Sequence, residues 1–291
     1  MNLCDIREVK ALLARHGFRF SKSMGQNFLV AEWAPRDIAA AGAGGRDCGV
    51  LEIGPGIGCL TRELCKRAGK VVSVELDPAL PPVLAETMDG AENFTLISGD
   101  VLKLDLPELV DREFQGLTPL VCANLPYNVA SPILRALVEA KRFAAITVMV
   151  QREVALRLAA KPGSKDYGAL SVYMQLYTQP EVLFDVPPEC FLPAPKVTSS
   201  VIRCRVRETP AVSARCGEDF FFQVVKGAFA LRRKTLCNSL GTVFGSRLGK
   251  EGIAQAVSQC GLPPAVRGEA LGLEEFAALA DCLWTAMKGG R

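Results

Sequence analysis

The feature that most constrains this chain is Val50-Leu51-Glu52-Ile53-Gly54-Pro55-Gly56-Ile57-Gly58, a short strand pattern running into three closely spaced glycines and then a helical stretch over 57–68. Glycine has no Cβ, so such a loop lets the backbone turn sharply and lets a ligand approach it closely. The alternation then repeats. Strands are predicted at 71–74, 94–97, 120–123 and 146–150. Helices are predicted at 78–88 and at 131–140, where Pro132 sits in the first turn. Strand and helix alternating at this spacing predict a parallel sheet covered on both faces. An amphipathic helix over 5–15, with Ile6, Val9, Leu12 and Leu13 on one face, precedes this pattern, followed by a polar segment over 18–27.

After Tyr177 the pattern changes. Residues 182–184 and 197–206 read as strands around a proline-rich connection, 187–195. Alternation at Val201, Ile202, Cys204 and Val206 suits a late antiparallel strand. Residues 207–217 are polar and include Pro210, and 218–291 read as all-helical, with helices at 220–230, 232–240, 253–260 and 274–287. The expected division is an α/β domain over 1–209 and a small helical domain over 210–291.

Composition narrows the chemistry. His16 is the only histidine, which argues against a histidine-based triad or a multi-histidine metal site, and it is expected to be a cation near a helix C-terminus. The eleven cysteines include no Cys-x-x-Cys pair and are read as reduced thiols used as small hydrophobes. No apolar run approaches the roughly 20 residues of a membrane span, and residues 1–30 lack a signal-peptide pattern, so a cytoplasmic location is expected. The net charge of +3 arises in residues 211–291, which carry ten basic against seven acidic residues. That permits a nucleic-acid partner without demanding one.

Four residues fall at the ends of successive predicted strands: Gly54, Glu75, Asp100 and Asn124. Ligands bind at that edge of open α/β sheets. A dinucleotide fingerprint requires Gly-x-Gly-x-x-Gly/Ala; here position 59 is cysteine and the third glycine comes early, at Gly58. Gly-x-Gly-x-Gly after an acidic residue resembles the S-adenosylmethionine loop of class I methyltransferases. Glu75, 21 residues after Gly54, is placed to accept from both ribose hydroxyls, or it is a solvated acid opening a helix. Asp100 is either an acceptor for an adenine amine or a turn residue. Asn124-Leu125-Pro126-Tyr127 brings an amide acceptor, a proline and an aromatic ring together, and no general acid, base or nucleophile, unless it is only a strand-end turn. An exocyclic amine is a poor nucleophile because its lone pair is delocalised into the ring. Two acceptors, the Asn124 side-chain oxygen and the Leu125 carbonyl, would favour a more tetrahedral nitrogen, and Tyr127 could stack on the base, worth about 1–3 kcal/mol. Phe191, in a proline-stiffened loop, either packs the other face of an extruded base or anchors the loop in the core.

Taken together, Gly25-Gln26-Asn27-Phe28-Leu29, Glu52 to Gly58, Glu75-Leu76-Asp77, Gly99-Asp100, Asn124 to Tyr127, Gln151-Arg152-Glu153, Pro193-Ala194-Pro195-Lys196-Val197 and the stretch from Phe229 to Leu236 resemble, in order, the KsgA family of ribosomal RNA adenine N6,N6-dimethyltransferases. The resemblance spans roughly residues 7–240. It implies a Rossmann-like class I methyltransferase domain with a helical C-terminal domain. It also implies S-adenosylmethionine as methyl donor, no metal, and methylation of two adjacent adenosines near the 3′ end of 16S rRNA in the small-subunit precursor by a monomer. It adds Asn27 and Leu29 to Gly54, Gly56, Glu75, Asp100 and Asn124 as cofactor contacts. By analogy it makes Arg232, Arg233 and Lys234 RNA-backbone contacts, the alternative being a solvated helix face. Ser23-Met24 departs from the family pattern of a basic residue and an aromatic, a loss that Lys22 and Arg19 could offset. Three rivals are the erythromycin-resistance methyltransferases acting on large-subunit rRNA, a non-catalytic RNA-binding assembly factor, and a nicotinamide oxidoreductase, which Cys59 disfavours.

Overall fold

Helix α1 (Ile6–Arg15) forms where the amphipathic pattern places it. Asp5 caps it by accepting from the Arg7 N–H at 2.8 Å, and Val9, Leu12 and Leu13 are buried. His16 ends the helix, and Arg15 and His16 share the carboxylate of Glu86 at 2.5 and 2.7 Å. The computed structural model describes residues 1–20 and 25–289, so Lys22, Ser23 and Met24 lie outside the described residues.

A two-residue strand, β1 (Phe28–Leu29), and helix α2 (Trp33–Gly42) precede the alternating region: β2 (Cys48–Ile53), α3 (Cys59–Arg67), β3 (Lys70–Glu75), α4 (Pro81–Thr87), β4 (Phe94–Ser98), α5 (Leu106–Glu113), β5 (Thr118–Asn124), α6 (Ala130–Glu139) and β6 (Ala145–Gln151). Then follow α7 (Arg152–Leu158), α8 (Ala169–Tyr177), β7 (Thr178–Val186), β8 (Phe191–Leu192) and β9 (Ser199–Val206). Among the described residues seven strands make one sheet in the order β4-β3-β2-β5-β6-β9-β7. Strands β2 to β6 pair in parallel, and β9 runs antiparallel to β6 from Ala145↔Arg205 to Gln151↔Ser199. Every residue of β2 is buried, as a strand covered on both faces requires. Fully burying side chains such as Leu51 contributes about 1.5–3 kcal/mol each.

The strand order reverses between β2 and β5: the chain winds outward through β3 and β4, then returns to lay β5 and β6 on the other side. Right-handed crossovers then put the connecting helices on opposite faces. A crevice opens at that switch point, above the ends of β2 and β5. Those ends carry Gly54 and Asn124.

The chain divides into two compact units, 1–155 with 179–206, and 156–178 with 207–291. The sequence pattern predicts a single boundary at 209/210. Residues 156–178 join the helical unit because the side chains of Tyr167, Val172 and Leu176 are buried in its core with Phe220, Phe221 and Leu240. That unit is built on α9 (Glu218–Ala228), α10 (Leu236–Gln259) and α11 (Leu273–Gly289). Helix α10 replaces two predicted helices with one element broken at Gly249, where φ is +64°. It begins at Leu236, so Arg232 and Arg233 lie in a turn rather than on a helix. Helices α2, α5, α7 and α8 are not predicted from the sequence. No described helix is long and apolar enough to cross a membrane.

Candidate functional site

The glycine loop leaves β2 with φ of +67° at Gly54, +61° at Gly56 and +91° at Gly58, a backbone region that residues with a Cβ rarely occupy. A Cβ at Gly56 would come within 2.9 Å of the Phe28 ring. At Gly54 the nearest atom to an added Cβ is 3.9 Å away, on Pro126, so the backbone there is not crowded. Helix α3 starts directly after Gly58.

A cavity at the switch point is lined by the loop, by Gly25 to Leu29, by Glu75 and Leu76, and by Asn124 to Val129. The structure therefore brings Asn27, Leu29, Gly54, Gly56, Glu75, Asn124, Leu125, Pro126 and Tyr127 to one place. Glu75, 6% exposed, ends β3 with its carboxylate oriented by two backbone groups: it accepts from the Gly56 N–H at 3.3 Å and from the Asp77 N–H at 2.8 Å. Burial raises its pKa above the ordinary carboxylate range, against the opposing effect of those hydrogen bonds. Gln26, which lines the cavity, donates through Nε2 to Asp77 Oδ2 at 2.6 Å, just past the end of β3.

The Asn124 side chain donates through Nδ2 to the Asn27 carbonyl at 3.1 Å. Only the NH2 group of an amide can donate to a carbonyl, so this bond fixes which end is oxygen. Oδ1 has no hydrogen-bond partner among the described residues. The Leu125 N–H is held by the Met149 carbonyl at 3.1 Å, and the Leu125 side chain is buried. Pro126 keeps the backbone extended, with φ −59° and ψ 125°, before a 3-10 turn over Tyr127–Val129. The half-buried Tyr127 bonds through its hydroxyl to Ser199 Oγ at 2.5 Å, and burial raises the pKa of that hydroxyl.

Two site candidates are not brought into the cavity. Phe191 is 4% exposed on β8, opposite Leu29 in an antiparallel pair, and packs in the core. Asp100 follows β4, but its carboxylate accepts from the Leu102 N–H at 3.0 Å and lies 3.9 Å from Lys103 Nζ. In the helical unit, Arg232 is engaged by Glu269 at 3.2 Å and by the Lys165 carbonyl. Arg233 and Lys234 are exposed and form no ion pair among the described residues.

Glu52 lines the same cavity, although the sequence marks it only as part of the loop pattern. It is 1% exposed, and its Oε2 accepts from the Thr61 hydroxyl at 2.8 Å and the Ser73 hydroxyl at 2.6 Å. Burial pushes its pKa up to about 7; the two hydroxyls oppose the shift and the charge of Glu75 adds to it. A carboxyl held more tightly protonated in the folded state stabilises the fold fully below the unfolded value near 4.5. That contribution is lost as pH rises through about 7. The loss for this group is about 3 kcal/mol at most. Glu52→Gln, which keeps an acceptor for both hydroxyls, is expected to gain stability on wild type as pH goes from 5 to 8. Urea unfolding at both pH values reads this, and a difference independent of pH would remove the assignment.

Among the described residues no group of three or more His, Cys, Asp or Glu is placed to hold a metal ion. All eleven cysteines are free; Cys59, at the cavity wall, shares its one S–H between the carbonyls of Leu3 and Leu29, 3.2 and 3.1 Å away.

Residues 17–276 match the sequence profile of a family described as Ribosomal RNA adenine dimethylase. Ribosomal RNA small subunit methyltransferase A of Shouchella clausii (strain KSM-K16) is 46% identical over 96% of this chain and 94% of that protein. The protein of the same name from Streptococcus pneumoniae (strain P1031) is 44% identical over 97% of this chain and 98% of its own length. Among solved structures, the 23S rRNA methyltransferase ErmE superposes with a TM-score of 0.68 at 27% identity, covering 88% of this chain and 99% of that one. A dimethyladenosine transferase from Plasmodium falciparum has a TM-score of 0.71 at 22% identity over 84% and 94%, a likeness of fold.

Proposed function

Because the chain belongs to the ribosomal RNA adenine dimethylase family, we propose that it transfers methyl groups from S-adenosylmethionine to N6 of two adjacent adenosines near the 3′ end of 16S rRNA, during assembly of the small subunit. The observation that carries this reading is the Asn124 amide, turned by the Asn27 carbonyl so that Oδ1 is left to accept from an amine beside the glycine loop.

The residues present suit that cofactor: the backbone at Gly54 is uncrowded, and Glu75 offers an oriented carboxylate at the ribose distance along the chain. When bound, S-adenosylmethionine supplies an electrophilic methyl on a sulfonium. Glu75 would hold the ribose hydroxyls, with Asn27, Leu29, Gly54 and Gly56 as further contacts; Asp100, whose carboxylate is taken up by the Leu102 N–H outside the cavity, is not assigned one. Asn124 Oδ1 and the Leu125 carbonyl would accept the two N–H bonds of the adenine amine and favour a lone pair on nitrogen. Tyr127 would stack on the base. Phe191 would support the Asn27–Leu29 side from the core, since it pairs with Leu29. None of Asn124, Leu125, Pro126 and Tyr127 is a general base at neutral pH, so positioning is assigned most of the rate, and the surplus proton leaves to water.

A small-subunit target is supported by the names of the relatives at 43–46% identity, whereas the large-subunit enzyme ErmE stands at 27%. Labelled methyl transfer to unmethylated small-subunit particles, followed by nuclease digestion, is expected to yield dimethyladenosine at two positions. Labelling confined to large-subunit RNA would overturn the proposal.

For the RNA contact we assign Arg233 and Lys234 to phosphates, and Arg232 to bracing their turn through Glu269 and Lys165. Replacing Arg233 and Lys234 by alanine is expected to weaken particle binding and to reduce the salt slope by about one for each phosphate that is no longer neutralised. An unchanged slope would place both side chains in plain solvent.

A further inference from the structure

Ser199 belongs to none of the motifs that mark the site, yet its hydroxyl lies 2.5 Å from Tyr127 Oη. It opens β9, is fully buried, and is held in register opposite Gln151 of β6. Met149, two residues earlier on β6, faces Asn124 in the parallel pair with β5. One rigid sheet edge thus fixes both Asn124 and the anchor of the Tyr127 ring.

The oxygen of a phenol is conjugated with its ring, so its hydrogen bonds lie near the ring plane. A bond at Oη therefore fixes the direction of the side chain and also its rotation about the long axis. The other end of Tyr127 is fixed by the 3-10 turn that Pro126 begins, where the Val129 N–H donates to the Pro126 carbonyl at 3.2 Å. A base stacked on the ring takes the tilt of the ring. The lone pair of an exocyclic amine projects perpendicular to the base plane, so that tilt sets the direction from which nitrogen attacks. In-line transfer is sensitive to such misalignment.

We propose that Ser199 is a positioning residue, which sets the plane of the Tyr127 ring and through it the angle at which the target adenine presents its amine beside Asn124. This rests on the stacking assigned to Tyr127 above. The same bond also makes a structural demand on position 199: a hydroxyl must be kept there, because the buried hydroxyl of the neighbouring Ser200 is used by Asp185.

The test is a double-mutant cycle on the full chain with small-subunit particles as substrate. Ser199→Ala is expected to lower kcat about 10-fold, about 1.4 kcal/mol, leaving KM for the particle and the cofactor dissociation constant within about twofold. Tyr127→Phe removes the same bond from the other side and should lower kcat equally. The double mutant should be no slower than either single mutant, and Ser199→Thr, which keeps a hydroxyl on a strand, should recover most of the rate. Losses that multiply in the double mutant, or wild-type kcat in Ser199→Ala, would overturn the proposal. Should Ser199→Ala fail to fold, a wild-type kcat in Tyr127→Phe does so alone. Tyr127→Ala separates the two layers. Normal turnover there removes the stacking role itself, whereas lost turnover together with a silent Ser199→Ala removes only the role of Ser199.

Discussion

Asn124→Ala is expected to lower methyl transfer by at least about 100-fold, the scale seen when one oriented polar group that stabilises a transition state is removed. Cofactor affinity should stay within about tenfold, or 1.4 kcal/mol. The split follows from the geometry. Nδ2 is used by the Asn27 carbonyl at 3.1 Å, and only Oδ1 remains for a ligand. Alanine removes the acceptor and leaves the Asn27 carbonyl without that donor, a local change beside the glycine loop and not within it. Asn124→Asp should be nearly as damaging even though it restores an acceptor. A carboxylate cannot donate to the Asn27 carbonyl, so the side chain loses the bond that aims it. Single-turnover methyl transfer measures the rate, and calorimetry with S-adenosylmethionine measures the affinity. Near-normal turnover in Asn124→Ala would end the assignment.

The parts of the fold that can be read from the sequence are those with a strong period. Strands β2 to β6 are legible because each is a short apolar run bounded by glycine, proline or a charged turn, and the spacing between them suits crossover helices. The antiparallel strand β9 is legible from its alternation. Helix α2 is not, because Ala34, Ala39, Ala40 and Ala41 with Gly42 give little contrast between its faces. Helix α5 is hidden by Pro107, which sits harmlessly in the first turn. Strands β1 and β8 are two residues each and carry no period. Their pairing, Phe28↔Leu192 and Leu29↔Phe191, is a tertiary fact.

The site divides in the same way. Gly54, Glu75 and Asn124 are legible because strand ends in a parallel sheet converge, so regular spacing in sequence becomes proximity in space. Asn27 and Leu29 come only from the family resemblance, since a segment before the first long strand has no spacing to place it. Glu52 is hidden by its own neighbours: an acid inside a strand gives no hint that Thr61 and Ser73 stand ready to receive it. Ser199 reads as one more strand residue, because the partner that gives it meaning lies 72 positions away.

Glu75→Ala is expected to weaken S-adenosylmethionine binding by about 30- to 100-fold, about 2–3 kcal/mol, as for loss of charge-assisted hydrogen bonds. The carboxylate is already aimed by the N–H groups of Gly56 and Asp77, so it would meet ribose hydroxyls without first giving up freedom. Glu75→Gln keeps the shape and one acceptor and should cost less. Protonation gives an independent check. Burial raises the Glu75 pKa in the free protein, so the carboxylate takes up its proton at a higher pH than an exposed glutamate would. Two hydroxyl donors favour the charged form, so ligand binding should lower that pKa again. Binding therefore releases protons in the pH interval between the lowered and the raised value, and affinity falls as pH drops through it. Calorimetry in buffers of different ionisation enthalpy should detect this release in wild type and find it reduced in Glu75→Gln. An unchanged dissociation constant in Glu75→Ala would refute the ribose role, and proton release surviving in Glu75→Gln would assign the titration to another group, with Glu52 next in line.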